Sequence, residues 1–271
     1  MDGKNLIQRM AKGQRIYGTL ITSTMPAWLP KVPDIGLDFV FIDTEHIPLD
    51  RNMLSFLCHN YNALRIAPLV RIPSPDPFEA CKALDAGASG ILAPYIESAA
   101  QVRQMVGAVK YRPLKGKRLD ELLNGKLNLS AGETEFFKKY NEGRFLLANI
   151  ESVEAINNLD EILSIPELDG IIIGPHDLSI SLGIPEQYGH KLFDETVCSI
   201  IRKALEYKKP VGNHFSFGIE HELRWAKEGM NIILHSIDYA AFISTMRDEL
   251  NLFRKTVVEP LFTPGGGGEA V

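Results

Sequence analysis

Residues 144–177 read RFLLANIESVEAINNLDEILSIPELDGIIIGPHD. The segment opens on a near-continuous apolar run, RFLLANIE (144–151), passes through a helix-like stretch, SVEAINNLDEIL, and returns to a second apolar run, DGIIIGP (169–175). Short runs that are apolar throughout are what parallel strands covered on both faces require. Both end abruptly on polar groups, so that each delivers a carboxylate, Glu151 and Asp177, at or just past its C-terminal end.

The same rhythm continues in both directions. RIYGTLIT (15–22), DFVFID (38–43), RIAPLVRI (65–72) and SGILAPYI (89–96) precede this unit; KPVGNHF (209–215) and MNIILHSI (230–237) follow it. Between them lie helical patterns such as DPFEACKALDAG, SAAQVRQMVGAV, DETVCSIIRKALEYK and IEHELRWAKEG, several closed by the glycine that favours a helix C-terminus. Eight strand–helix alternations in 271 residues predict an α/β fold, a single (β/α)8 TIM barrel over residues 1–262. A doubly wound open sheet is the competing arrangement, but no G-x-G-x-x-G follows the first strand. Residues 112–143 form a long connection after strand four, of the length expected of a lid or mobile loop. In MPAWLPKVPDIG the prolines Pro26, Pro30 and Pro33 should break the second helix. The tail TPGGGGEAV (263–271) is Gly-rich and expected to be disordered.

Composition narrows the class. A formal net charge of −5 without a dense basic stripe argues against a nucleic-acid partner. Cys58, Cys81 and Cys198 are scattered and odd in number, which fits reduced thiols and a cytoplasmic location. The N-terminal stretch MDGKNLIQRMAKGQR has no apolar core of a signal peptide, and no run is long enough to span a membrane.

In a barrel of this kind the chemistry sits where strands end. Strand two ends in Asp43, Glu45 and His46, strand three in Arg71, strand five in Glu151; Asp177 follows strand six. Strand seven offers Asn213 and His214, and strand eight His235, Ser236 and Asp238. Glu151 and Asp177 follow adjacent strands, and a divalent cation is the simplest way to hold two converging carboxylates ionised. Oxygen ligands favour a hard ion such as Mg²⁺ or Mn²⁺. The alternative is that each only caps the helix after it. His46, beside Asp43 and Glu45, has the setting of a tuned general base, or of a plain hydrogen-bonding group. Arg71 offers a planar fork for a carboxylate, or a structural ion pair at the mouth. No predicted strand ends in lysine, and Lys209 begins its strand at the wrong end, which argues against a Schiff base.

Taken in order, FIDTEH, PLVRIP, ALDAGASGILAP, NIES and IIIGPHDLS resemble the HpcH/HpaI family of metal-dependent pyruvate aldolases, from about residue 5 to 255. The resemblance implies metal ligands at Glu151 and Asp177, a catalytic His46 supported by Asp43, and a substrate-binding Arg71. It also implies that Asp85 reaches a neighbouring subunit's site, that Gly174, Pro175 and Arg118 contact substrate, and that the last helix is exchanged within trimers or hexamers. The cofactor would be Mg²⁺, Mn²⁺ or Co²⁺, with no nucleotide. The expected reaction is reversible cleavage of a 4-hydroxy-2-oxo acid to pyruvate and an aldehyde. Cleavage of citryl- or malyl-CoA-like thioesters, and a non-catalytic barrel that binds oxo acids, are the competing readings. Two departures bear on the aldehyde half. YRPLKGKRLDE keeps Gly116 and Arg118 but has Leu119 and Glu121 where the family has glycines, and strand eight ends in HSID, placing His235 near the mouth.

Overall fold

The computed structural model describes residues 1–262; the glycine-rich tail lies outside them. Eight parallel strands close into a barrel in chain order: β1 (Ile16–Leu20), β2 (Phe39–Asp43), β3 (Ala67–Arg71), β4 (Gly90–Ala93), β5 (Phe145–Ile150), β6 (Gly170–Ile173), β7 (Val211–Phe215) and β8 (Ile232–Ile237). The eight apolar runs are the eight strands. The helices are α1 (Gly3–Ala11), α2 (Arg51–Ala63), α3 (Pro77–Asp85), α4 (Ala99–Lys110), α5 (Gly116–Leu123) and α6 (Ala131–Tyr140). They continue with α7 (Val153–Asn157), α8 (Leu159–Leu163), α9 (Pro175–Ser181), α10 (Lys191–Glu206), α11 (Ile219–Glu228) and α12 (Asp238–Thr256). The proline-rich stretch after β1 forms no α-helix, only turns and one 3-10 turn, Val32–Ile35.

The alternation of each strand separates two cores. Val40, Ile42, Val70, Ile91, Ile171 and Ile173 face the helices. Phe39, Phe41, Leu69, Leu92, Phe145, Leu147 and Ile172 fill the barrel, and Leu6 and Met10 of α1 belong to the same cluster. Large and small residues interlock there. A Cβ on Gly18 would lie 2.4 Å from the Phe39 ring, and one on Gly90 would lie 2.2 Å from the Phe145 ring. Such layers make the interior a packed core. The inward series then runs on into polar residues at the strand ends: Phe39, Phe41, Asp43; Ala67, Leu69, Arg71; Phe145, Leu147, Asn149, Glu151.

The connection at 112–143 is not the structureless loop expected. It holds α5 and α6. Leu119 and Leu123 of α5 close on Gly107 of α4, where an added Cβ would lie 3.0 Å from Leu123. Helix α6 begins with a reciprocal Ser130–Glu133 cap and buries Phe137 edge-on to Tyr111. Buried Asn141 ties the ends together, its amide donating to the carbonyls of Lys110 and Arg112, each at 2.9 Å.

Helix α12 differs from the others. Asp238 is its one buried residue, while Tyr239, Phe242, Ile243, Leu250 and Phe253 stand exposed. Beside it, the outer faces of β1 and β8 are left open, forming with α11 an apolar groove of about 480 Å³ lined by Tyr17, Ile219, Leu223 and Ile233. Among the described residues no helix is long and apolar enough to cross a membrane.

Candidate active site

The inward-facing polar ends converge on a cavity of about 410 Å³ at the C-terminal mouth, lined in part by Asp43, His46, Arg71, Asn149, Gly174, Pro175 and Asp177. Asp43 and Arg71 lie side by side in register on β2 and β3. The Arg71 guanidinium grips Asp43 with two hydrogen bonds, Nε to Oδ1 at 2.9 Å and Nη2 to Oδ2 at 2.6 Å, and sits over the Phe41 ring at 5.6 Å. Burial pushes the Asp43 carboxyl up, but the hydrogen bonds and charge of Arg71 outweigh it and hold the group below its ordinary range. Burial opposes the charge on Arg71 too, and Asp43 and Glu45 more than restore it.

Asp43 is therefore the anchor of Arg71, not the partner of His46. The carboxylate nearest the imidazole is Glu45, its Oε1 3.7 Å from His46 Nε2. Glu45, named among the polar residues ending strand two but given no role of its own, is nearly buried and 3.1 Å from Arg71 Nε, and its proximity pushes the Tyr95 phenol up to about 12. Two residues beyond inward-facing Asp43, it shares that residue's parity.

Glu151 is buried just past β5. The Tyr95 N–H donates to its Oε1 at 2.6 Å, and the Asn149 amide donates to Oε2. Tyr95 reaches this position with a φ of 51°, a left-handed conformation uncommon for so bulky a residue. Burial pushes the Glu151 carboxyl up to about 7; Asp177 and Glu45 push the same way, against the Tyr95 N–H and Arg71. Gly174 supplies room. A Cβ there would lie 2.8 Å from Glu151 Oε2 and 3.1 Å from Asn149 Nδ2. Pro175 then starts α9 and brings Asp177 into its first turn.

Arg118 and His235 fall away from where they were expected, and Asp85, expected at a neighbour's site, lies away from its own cavity. Asp85 ends α3, which descends from the mouth, so it lies toward the opposite end of the barrel, paired with Arg112. Arg118 lies on α5, half-exposed and paired with Glu133, and does not line the cavity. His235 points outward from β8 into the apolar groove, its Nδ1 2.5 Å from Glu222 Oε2. Among the described residues, no cluster of three or more His, Cys, Asp or Glu side chains is arranged to hold a metal ion on its own.

The molecule has well-characterised likenesses. It is 29% identical over 252 residues to 2-keto-3-deoxy-L-rhamnonate aldolase of Escherichia coli, across 91% of this chain and 92% of that relative. A solved HpcH/HpaI aldolase from Desulfitobacterium hafniense superposes with a TM-score of 0.79 at 26% identity, covering 96% of this chain and 99% of that one. The citrate synthase SbnG superposes at 0.77, also with 26% identity, covering 94% and 99%. The family model described as HpcH/HpaI aldolase/citrate lyase matches residues 17–245, so this chain belongs to that family and is an enzyme of its aldolase, carbon–carbon lyase class.

Proposed function

We propose that the chain reversibly cleaves a 4-hydroxy-2-oxo acid to pyruvate and an aldehyde, with a divalent cation, Mg²⁺, Mn²⁺ or Co²⁺, held by Glu151 and Asp177. The observation that carries this reading is the setting of Glu151. Its buried carboxylate is fixed by the Tyr95 N–H and the Asn149 amide, Gly174 leaves open the space against its Oε2, and Asp177 stands in the first turn of α9 after the adjacent strand. Two carboxylates leave the remaining coordination positions to substrate and water. When bound, the cation would act as a Lewis acid on the oxo-acid oxygens.

The protein's own groups supply the rest. Arg71, fixed by Asp43, lends positive charge where the enolate oxygen develops as the C3–C4 bond breaks. His46, exposed at the mouth beside Glu45, takes the C4 hydroxyl proton that leaves with bond cleavage. In the reverse direction it returns that proton to the new alkoxide. Among the described residues the cavity lining includes no lysine, and Lys209 donates instead to the carbonyls of Ile165, Pro166 and Leu168 before β7.

The exposed face of α12 and the open β1–β8 groove support helix exchange in a trimer or hexamer, with α12 of one subunit seated in the groove of the next. Asp85, remote from its own cavity, is the residue we assign to a neighbour's site in that assembly. Three free thiols suit a cytoplasmic enzyme.

The test is exchange of pyruvate methyl protons with deuterated water. The purified protein should exchange them with Mg²⁺, Mn²⁺ or Co²⁺, stop in EDTA, and survive borohydride added with pyruvate. Glu151→Gln should lose both cation binding and exchange. A covalent pyruvyl adduct, or exchange undiminished by EDTA, would overturn the mechanism.

A further inference from the structure

Beyond Asp43 and His46, the part of the cavity formed by β1, β2 and β7 is lined mainly by apolar side chains, Leu20, Phe41 and Phe217, together with Ser216 and a second imidazole, that of His214. Nothing in the reaction described above uses this group.

Its setting is unusually well defined. His214 lies on the inward face of β7, with its ring edge-on to Phe41 at 5.4 Å between centroids. On the facing strand β8 the register to β1 slips by a bulge between Gly18 and Leu20, and Ser236 takes a φ of 59°. Bulges near sites re-aim backbone groups in this way. The Ser236 carbonyl turned inward accepts from Thr19 Oγ1 and lies 3.3 Å from His214 Nε2. A carbonyl can only accept, so Nε2 must carry the hydrogen. Burial and the nearby Arg71 charge push the imidazole down to about 4, so the ring is neutral under ordinary conditions. A neutral ring protonated at Nε2 has a bare Nδ1, which can only accept. Among the described residues, the contact with Ser236 is the only hydrogen bond the His214 side chain makes.

We propose that His214 is a specificity-determining residue, its Nδ1 accepting a hydrogen bond from a hydroxyl on the aldehyde half of the substrate. The proposal rests on the aldolase reading above and extends it to the class of aldehyde. A hydroxylated, uncharged aldehyde gives the ring the donor it lacks. A carboxylated aldehyde offers only acceptors to an acceptor, and Leu20, Phe41 and Phe217 beside the ring supply no donor for them. An aldehyde without the hydroxyl leaves the site's polar atom unpaired, the situation in which enzymes discriminate most strongly.

The experiment compares condensation of pyruvate with glycolaldehyde and with acetaldehyde, which differ by one hydroxyl, with pyruvate proton exchange measured on each variant. Wild type should favour glycolaldehyde by roughly tenfold or more in kcat/KM. His214→Leu should remove most of that preference while leaving exchange within about threefold, because the oxo-acid half is untouched. His214→Gln, whose amide can still donate to Ser236 and accept from substrate, should restore part of it. Exchange reports the fold, and His214→Met replaces the leucine variant if that one fails to accumulate as folded protein. Normal exchange in wild type without a hydroxyl preference, or equal losses with both aldehydes in the leucine variant, would overturn the assignment of His214 alone. Absence of exchange in wild type would overturn the aldolase reading itself, and this inference with it.

Discussion

Both oxygens of Asp43 are taken up by one guanidinium, and that pairing divides the labour among the polar residues at the mouth. Arg71 is held rigidly enough to meet a developing charge, while His46 remains exposed and free to move a proton. The two should therefore fail differently. Arg71→Lys keeps the charge but loses the two-pronged grip on Asp43, so pyruvate exchange and kcat/KM for cleavage should fall together, by roughly 10- to 100-fold. His46→Ala should lower kcat for cleavage by roughly 10²–10⁴-fold and spare exchange, as loss of a general base does. Equal effects of both variants on both rates would sink this division. Residue types at strand ends were enough to pick out Asp43, His46, Arg71, Glu151 and Asp177. They were not enough to pair them, because pairing depends on the β2–β3 register and on the turn after Asp43, which composition does not encode. Glu45 was named beside His46, but its approach to Arg71 was hidden for that reason.

At the scale of elements, what could be read was periodic and what could not was exceptional. Every strand was visible because continuous apolar runs have few other uses in a chain of this size. Helices α5 and α6 were hidden, since each is short and buries little of its own: α5 has no buried residue and α6 only Phe137. SVEAINNLDEIL reads as one helix but is two, α7 and α8, parted at Asn158. His235 was expected near the mouth from its place at the strand end, but the same alternation that turns Ile232 and Leu234 into the barrel turns His235 outward. The β6–α9 junction gives the sharpest test at this scale. Gly174→Ala would push a methyl group into Glu151 and Asn149, with contacts of 2.8 and 3.1 Å that neither partner can relieve without moving the ligand carboxylate. Its Mn²⁺ affinity should fall by tenfold or more, about 1.4 kcal/mol per decade. Gly132→Ala, where nothing lies within 4 Å, is the matched control and should bind as wild type does. Unchanged calorimetric affinity in Gly174→Ala would mean that the carboxylate is not held where the cation needs it.

For the whole molecule, the question is what covers the groove between β1, β8 and α11. The helix exchange proposed above would put α12 of another subunit there, over a contact made within one chain, His235 with buried Glu222. Leu223 lines the groove and is about half exposed (53%), so Leu223→Glu should leave the barrel folded and bound to metal while reducing the assembly to monomers in sedimentation. An unchanged mass would exclude the groove as an interface. The pair itself adds a pH dependence whose sign is fixed. The hydrogen bond that His235 donates to Glu222 raises the imidazole, against partial burial, which lowers it. A group raised on folding stabilises fully below its unfolded value, about 6.5, and loses that contribution as pH rises through its folded value. The imidazole is half exposed, so the effect is of the order of 1 kcal/mol or less. Wild type should therefore melt higher than His235→Gln at pH 6, by about 2–4 °C per kcal/mol, with the gap closing toward pH 9. The monomeric Leu223→Glu background should keep the same trend, because both partners lie in one chain. A gap that stays constant across that range, or widens with pH, would show that the pair is not ionised as the geometry requires.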